Sequence, residues 1–181
     1  MEFYFDDDFI TKEEKEITVK TINELLNIYS NVKLKGIGDY RSYNKIKNTE
    51  EYIEPRYASF HYPENIILIN YEKVREFKYG RGIKKIIYHE FGHAIDYSAE
   101  IHFIKRISND YRVNLCYKKY LDCLKDNRNL SNKTQAEISC KEYFAECLVY
   151  HHCEELDLSG SEEVISLLHG IYAPIVGYKN K

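Results

Sequence analysis

Tryptophan is absent from the sequence, and proline is scarce at three residues in 181. Only eight glycines accompany them, which excludes a linker-rich or fibrous chain. No stretch approaches the roughly 18 consecutive apolar residues of a membrane span, so no membrane partner is expected. Positive charge is not in excess either. The 26 Lys and Arg against 29 Asp and Glu leave a net charge of −3, which argues against a nucleic-acid partner. The opening residues, Met1 to Asp8, are acidic and lack the apolar segment of a secretory signal. None of the five cysteines (Cys116, Cys123, Cys140, Cys147 and Cys153) forms a CxxC pair, so a zinc ribbon is not expected. An odd count without an export signal does not fit a disulfide framework. Two pairs spaced i, i+7 read as buried, reduced core residues. The expected location is cytoplasmic, or one reached by a route that needs no signal peptide on this chain.

What is present is a globular mixture, 44% apolar and 30% charged, of a length suited to one domain over residues 1–181. Thr11-Lys12-Glu13-Glu14 matches a capping box. Ile17, Thr21, Leu25 and Ile28 then recur at helical spacing, predicting a helix to about Ser30. The charges of Lys12–Glu16 read as its solvated face. Val32–Lys35 alternates as a strand closed by Gly36-Ile37-Gly38. Residues 39–56 read as a loop with room for a short helix. Tyr57–Phe60 and Ile66–Ile69 read as strands around a turn at Pro63-Glu64-Asn65, giving a small sheet of about three strands. Beyond residue 80 the period turns helical, with helices predicted over about 80–100, 109–126, 136–152 and 161–169. The order is a helix and a small mixed sheet in about 1–80, then a helical half in about 81–181. That is an α+β domain rather than repeated βαβ units.

One pattern carries chemistry. His89-Glu90-Phe91-Gly92-His93 lies within the helical stretch whose apolar stripe is Ile83, Ile86, Ile87, Phe91, Ala94 and Ile95. Residues i and i+4 share a helix face, so both imidazoles can reach one metal ion. Zn²⁺ is the usual guest of such a pair and takes a third protein ligand plus an open position. Glu90, one residue on from His89, is placed as general base beside a metal-activated water. This composition predicts roughly 0.03 chance matches to the pattern.

The third ligand has to come from elsewhere. Glu142-Tyr143-Phe144-Ala145-Glu146 offers two carboxylates, again i, i+4, on a helix flanked by Phe144, Ala145, Leu148 and Val149. Buried carboxylates need partners. One glutamate can ligate, and the other can orient a ligand histidine through its second ring nitrogen. Spacing alone leaves open which does which.

His89-Glu90-Phe91-Gly92-His93-Ala94-Ile95-Asp96 followed by Glu142-Tyr143-Phe144-Ala145-Glu146 resembles the zinc protease domain of anthrax lethal factor and the clostridial Pro-Pro endopeptidases. The resemblance covers about residues 83–152 and fades before Lys84. It implies a zincin-like (gluzincin) fold and a zinc endopeptidase acting on a protein or peptide bound as an extended strand. It implies His89, His93 and Glu142 as zinc ligands, Glu90 as base and Glu146 as the supporting carboxylate. The family's tyrosine seven residues before the third ligand is replaced here by Gln135, whose amide could donate to the oxyanion. A fainter resemblance, to ImmA/IrrE-like regulators that act on a repressor, suffers from their shorter gap between motif and third ligand. The Gln135 departure motivates a third reading, a catalytically weak metal-binding module.

The remaining candidates are bland. Asp96 either bonds within the site or caps local backbone. His151 and His152 end a helix, where they meet its dipole favourably. His61, His102 and His169 read as ordinary surface residues.

Overall fold

A computed structural model describes residues 1–48, 54–62, 64–76, 82–103, 105–126, 136, 138–153 and 158–179. The sheet is built around β4 (Ile66–Ile69), all four of whose residues are buried. β2 (Gly36–Asp39) lies parallel to it, and β1 (Glu2–Tyr4) parallel to β2. β3 (Ala58–His61) pairs antiparallel and closes the order β1-β2-β4-β3. The sheet is therefore mixed, with four strands among the described residues rather than about three. Its two faces follow the period of two. Ile37, Ile67 and Ile69 join the main core, while Ile66 and Leu68 pack with Tyr4 and Tyr43 on the other side. A strand buried on both faces reads as a continuous apolar run.

The alternation of Val32–Lys35 proves misleading. Those residues lie outside any strand, and the ladder begins at Gly36. Val32 and Leu34 are buried, which explains the alternation, while the glycines serve the strand rather than ending it. A Cβ on Gly38 would lie 2.1 Å from the Tyr4 carbonyl oxygen. Close backbone approach of this kind is what glycine in a strand provides.

α1 (Lys12–Ile28) starts at the predicted capping box, with both reciprocal bonds present. Glu14 departs from the solvated reading: it is buried and bonded to Arg75 Nε at 2.7 Å. Asp39 caps α2 (Tyr40–Lys47), which occupies much of the expected loop, by accepting from the backbone of Arg41 and Ser42. α3 (Tyr71–Glu76) follows the sheet. The helical half comprises α4 (Ile83–Phe103), a 3₁₀ turn (Ile107–Asn109), α5 (Tyr111–Asp126), α6 (Cys140–Cys153), α7 (Ser161–His169) and α8 (Ala173–Val176). The predicted start of α6 at Ala136 is too early, and Ile138 is exposed ahead of it. No described helix is long and apolar enough to cross a membrane.

α6 is the centre of this half and packs against α4, α5, α7 and the 3₁₀ turn. Seven consecutive residues, Tyr143 to Val149, are buried, as in a helix surrounded by protein. α4 packs along it and also touches α1 and β3. The five cysteines are free thiols; Cys116 and Cys147 are buried as expected, whereas Cys123 is exposed.

Candidate metal centre

The contact between α4 and α6 depends on a residue inside the histidine motif. A Cβ on Gly92 would lie 2.8 Å from Ala145 Cα and 3.2 Å from its Cβ. Glycine costs about 1 kcal/mol relative to alanine in a helix interior. Here it lets two helices approach backbone to backbone, which carries Glu142 and Glu146 to the histidines. Gly92→Val is expected to weaken zinc binding about 10–100-fold, the range seen when ligand-supporting groups are displaced. It should also lower the unfolding midpoint, although valine forms helices better than glycine. Zinc titration and thermal unfolding of the two proteins read both effects.

Three side chains able to ligate a metal converge. His89 Nε2 lies 3.0 Å from a Glu142 oxygen and 3.2 Å from His93 Nε2, and His93 Nε2 lies 3.5 Å from the other Glu142 oxygen. Bonds of about 2.0–2.1 Å in tetrahedral zinc put ligand atoms about 3.3 Å apart. Two imidazole nitrogens aimed at each other and at a carboxylate thus have the spacing of a coordination shell. These three residues are the group among the described residues able to hold an ion.

Glu146 sits on the other side of the ring. Its carboxylate is 2.9 Å from His89 Nδ1 and is fully buried. With Nδ1–H donated there, the Nε2 lone pair is left for a metal, the usual orienting role of a carboxylate behind a ligand histidine. In the metal-free site burial opposes charge on His89, but the bonds to Glu142 and Glu146 outweigh it and raise its pKa to about 10, so a metal takes the Nε2 position by displacing a proton. Burial likewise opposes ionisation of Glu142, and the two histidines overcome it and hold the carboxyl well below its ordinary range. Glu142 also lies in the first turn of α6, with its backbone N–H bonded to Ser139 Oγ. The positive end of the helix favours its charge there. Glu90 is buried beside His89.

Asp96 resolves to the structural alternative. It is buried and accepts from Ser108 N at 2.8 Å and Ser108 Oγ at 2.7 Å. Cys140 Sγ in turn donates to the Ser108 carbonyl. This chain ties the middle of α4 to the start of α6, two residues before Glu142. Gln135 lies outside the described residues.

The expectations for His169 and His61 change, while His151 and His152 end α6 as expected. His169 is half-buried rather than an ordinary surface residue: its Nε2 is 2.9 Å from Tyr29 Oη, and its ring stacks on Tyr178 at 3.7 Å. His152 stacks on Tyr88 at 5.0 Å, and His151 lies 5.1 Å from His169, so the end of α6 joins an aromatic cluster. His61, on β3, is half-buried with Nε2 2.7 Å from Ser59 Oγ. Burial lowers its pKa, against the charges of Glu64 and Glu90. The sequence reading does not single out Tyr97. It follows His93 at i+4, and its ring meets Phe60 and Tyr62 of the sheet edge at 6.0 and 5.3 Å. The i, i+4 continuation of the histidine stripe was the available signal.

Comparison with known proteins finds no matching family model, no matching curated protein and no matching solved structure.

Proposed function

We propose that this chain is a zinc-dependent endopeptidase of zincin type, similar to the lethal factor and Pro-Pro endopeptidase group. The observation that carries the reading is the convergence of His89 Nε2, His93 Nε2 and the Glu142 carboxylate, with Glu146 behind His89. His89, His93 and Glu142 would hold the ion, and Glu90 lies on the same helix. When bound, the ion supplies Lewis acidity toward the scissile carbonyl and the attacking water. Glu90 takes the proton of that water and returns it to the leaving amine. Among the described residues β3 has a ladder partner on one side only, so that edge suits an extended peptide added as a strand.

The purified protein is expected to contain about one zinc per chain and to cleave members of a peptide library. Chelation should stop cleavage, and added zinc should restore it. Protein that binds no zinc under any condition overturns the metal site. Zinc bound with no cleavage of any peptide overturns the peptidase reading in favour of a metal-binding module.

A further inference from the structure

Resting on the peptidase reading, we infer that the site selects a peptide carrying a large apolar, above all aromatic, side chain, seated on a ledge formed by Phe60, Tyr62 and Tyr97. His89, His93, Tyr97 and Ile101 follow one another at four-residue steps, so they form one stripe along α4. The stripe starts with the two ligand histidines. It then turns apolar, and it opens outward: Tyr97 is half-buried and Ile101 is 52% exposed.

The sheet edge supplies the rest of the ledge. Phe60 and Tyr62 share a face of the β3 chain, as alternate residues do, and both rings pack on Tyr97. Tyr62 is 54% exposed, yet it is held. The Arg106 guanidinium lies over its ring, 5.5 Å from the centroid, and is itself bonded to Glu100 at 2.8 Å. An aromatic surface that is fixed in place and open to solvent is prepared for contact with another apolar group.

The backbone of β3 says where such a group would come from. The Tyr57 carbonyl accepts from Asn70 N at 2.8 Å. Bonded and non-bonded pairs alternate along an antiparallel ladder. Given the register Ser59↔Leu68 and His61↔Ile66, those residues bond to β4, and the N–H and C=O of Ala58 and Phe60 point to the free edge. In a peptide strand added there, the residue opposite Phe60 carries its side chain on the Phe60 face. That face packs against the core beside Ile67 and meets Tyr97. The side chain therefore lands about one helical turn, roughly 5–6 Å, from His93. The substrate class is a peptide with a Phe, Tyr or large aliphatic residue within a few positions of the cleaved bond.

The test compares peptide sets that vary one position at a time between Phe and Ala. Wild type reports cleavage, and zinc-loaded Glu90→Gln reports binding without turnover. A preference for Phe at one position of about 10–100-fold is expected. Tyr62→Ala or Tyr97→Ala should cut that ratio about tenfold, with zinc content unchanged. Cleavage with no such preference, or a preference that survives both variants, overturns the ledge and leaves the peptidase reading standing. Ledge-dependent binding of Phe peptides without cleavage by wild type keeps the ledge and removes the peptidase reading. Neither binding nor cleavage of any peptide overturns both.

Discussion

Replacing Glu90 by Gln is expected to lower peptide hydrolysis about 10²–10⁴-fold, the usual worth of a positioned general base, with zinc content unchanged. Glutamine keeps the size and the hydrogen-bonding reach of glutamate but cannot take up a proton. Glu90 lies on α4 between the two histidines, buried, and its charge acts on both His89 and His61. It is not one of the three converging residues that could hold an ion, so the substitution separates proton transfer from metal binding. Hydrolysis rates and metal analysis on the same preparation decide the matter. Retained zinc with an unchanged rate removes Glu90 as the base.

The parts legible in the sequence are those set by neighbours along the chain. The capping box at Thr11 and Glu14, the apolar run Ile66–Ile69 and the paired histidines on α4 all declare themselves within a few residues. β1 does not. Glu2-Phe3-Tyr4 is three residues with an acidic sequel, and its strand character comes from pairing with Gly36–Gly38, more than thirty positions away. Val32–Lys35 shows the reverse error, because alternating burial needs no ladder. At the site, Glu142 and Glu146 were both visible as carboxylates, but their roles depend on which side of the His89 ring each approaches. That is fixed by the Gly92–Ala145 contact between α4 and α6. Tyr97 continues the histidine stripe and Phe60 and Tyr62 alternate along the β3 chain, but no local pattern joins the two sets; the packing of β3 on α4 brings them together.

Glu142→Ala is expected to abolish zinc retention, with affinity falling beyond the 10–100-fold typical of losing a supporting group. The variant removes one of the three proposed ligands, the one of them that carries a negative charge. It leaves His89 and His93 nitrogens 3.2 Å apart with no carboxylate to complete the shell. The fold should persist, because α6 is held by the buried run Tyr143–Val149 and Glu142 precedes that run. Circular dichroism should therefore match that of metal-free wild type while metal analysis shows little or no zinc. Glu146→Gln provides the contrast. Its oxygen can still accept from His89 Nδ1–H, so the ring stays oriented and only the charge behind it is lost; zinc affinity should fall about 10–100-fold. A larger loss in Glu142→Ala than in Glu146→Gln identifies Glu142 as the ligand and Glu146 as its support. The opposite order would exchange the two roles and place the ion on the Nδ1 side of His89. The positions of the two carboxylates, 3.0 Å from Nε2 and 2.9 Å from Nδ1, favour the first order. His93 decides between them: its Nε2 turns toward Glu142 and His89 Nε2, so a second imidazole completes the shell only on the Glu142 side.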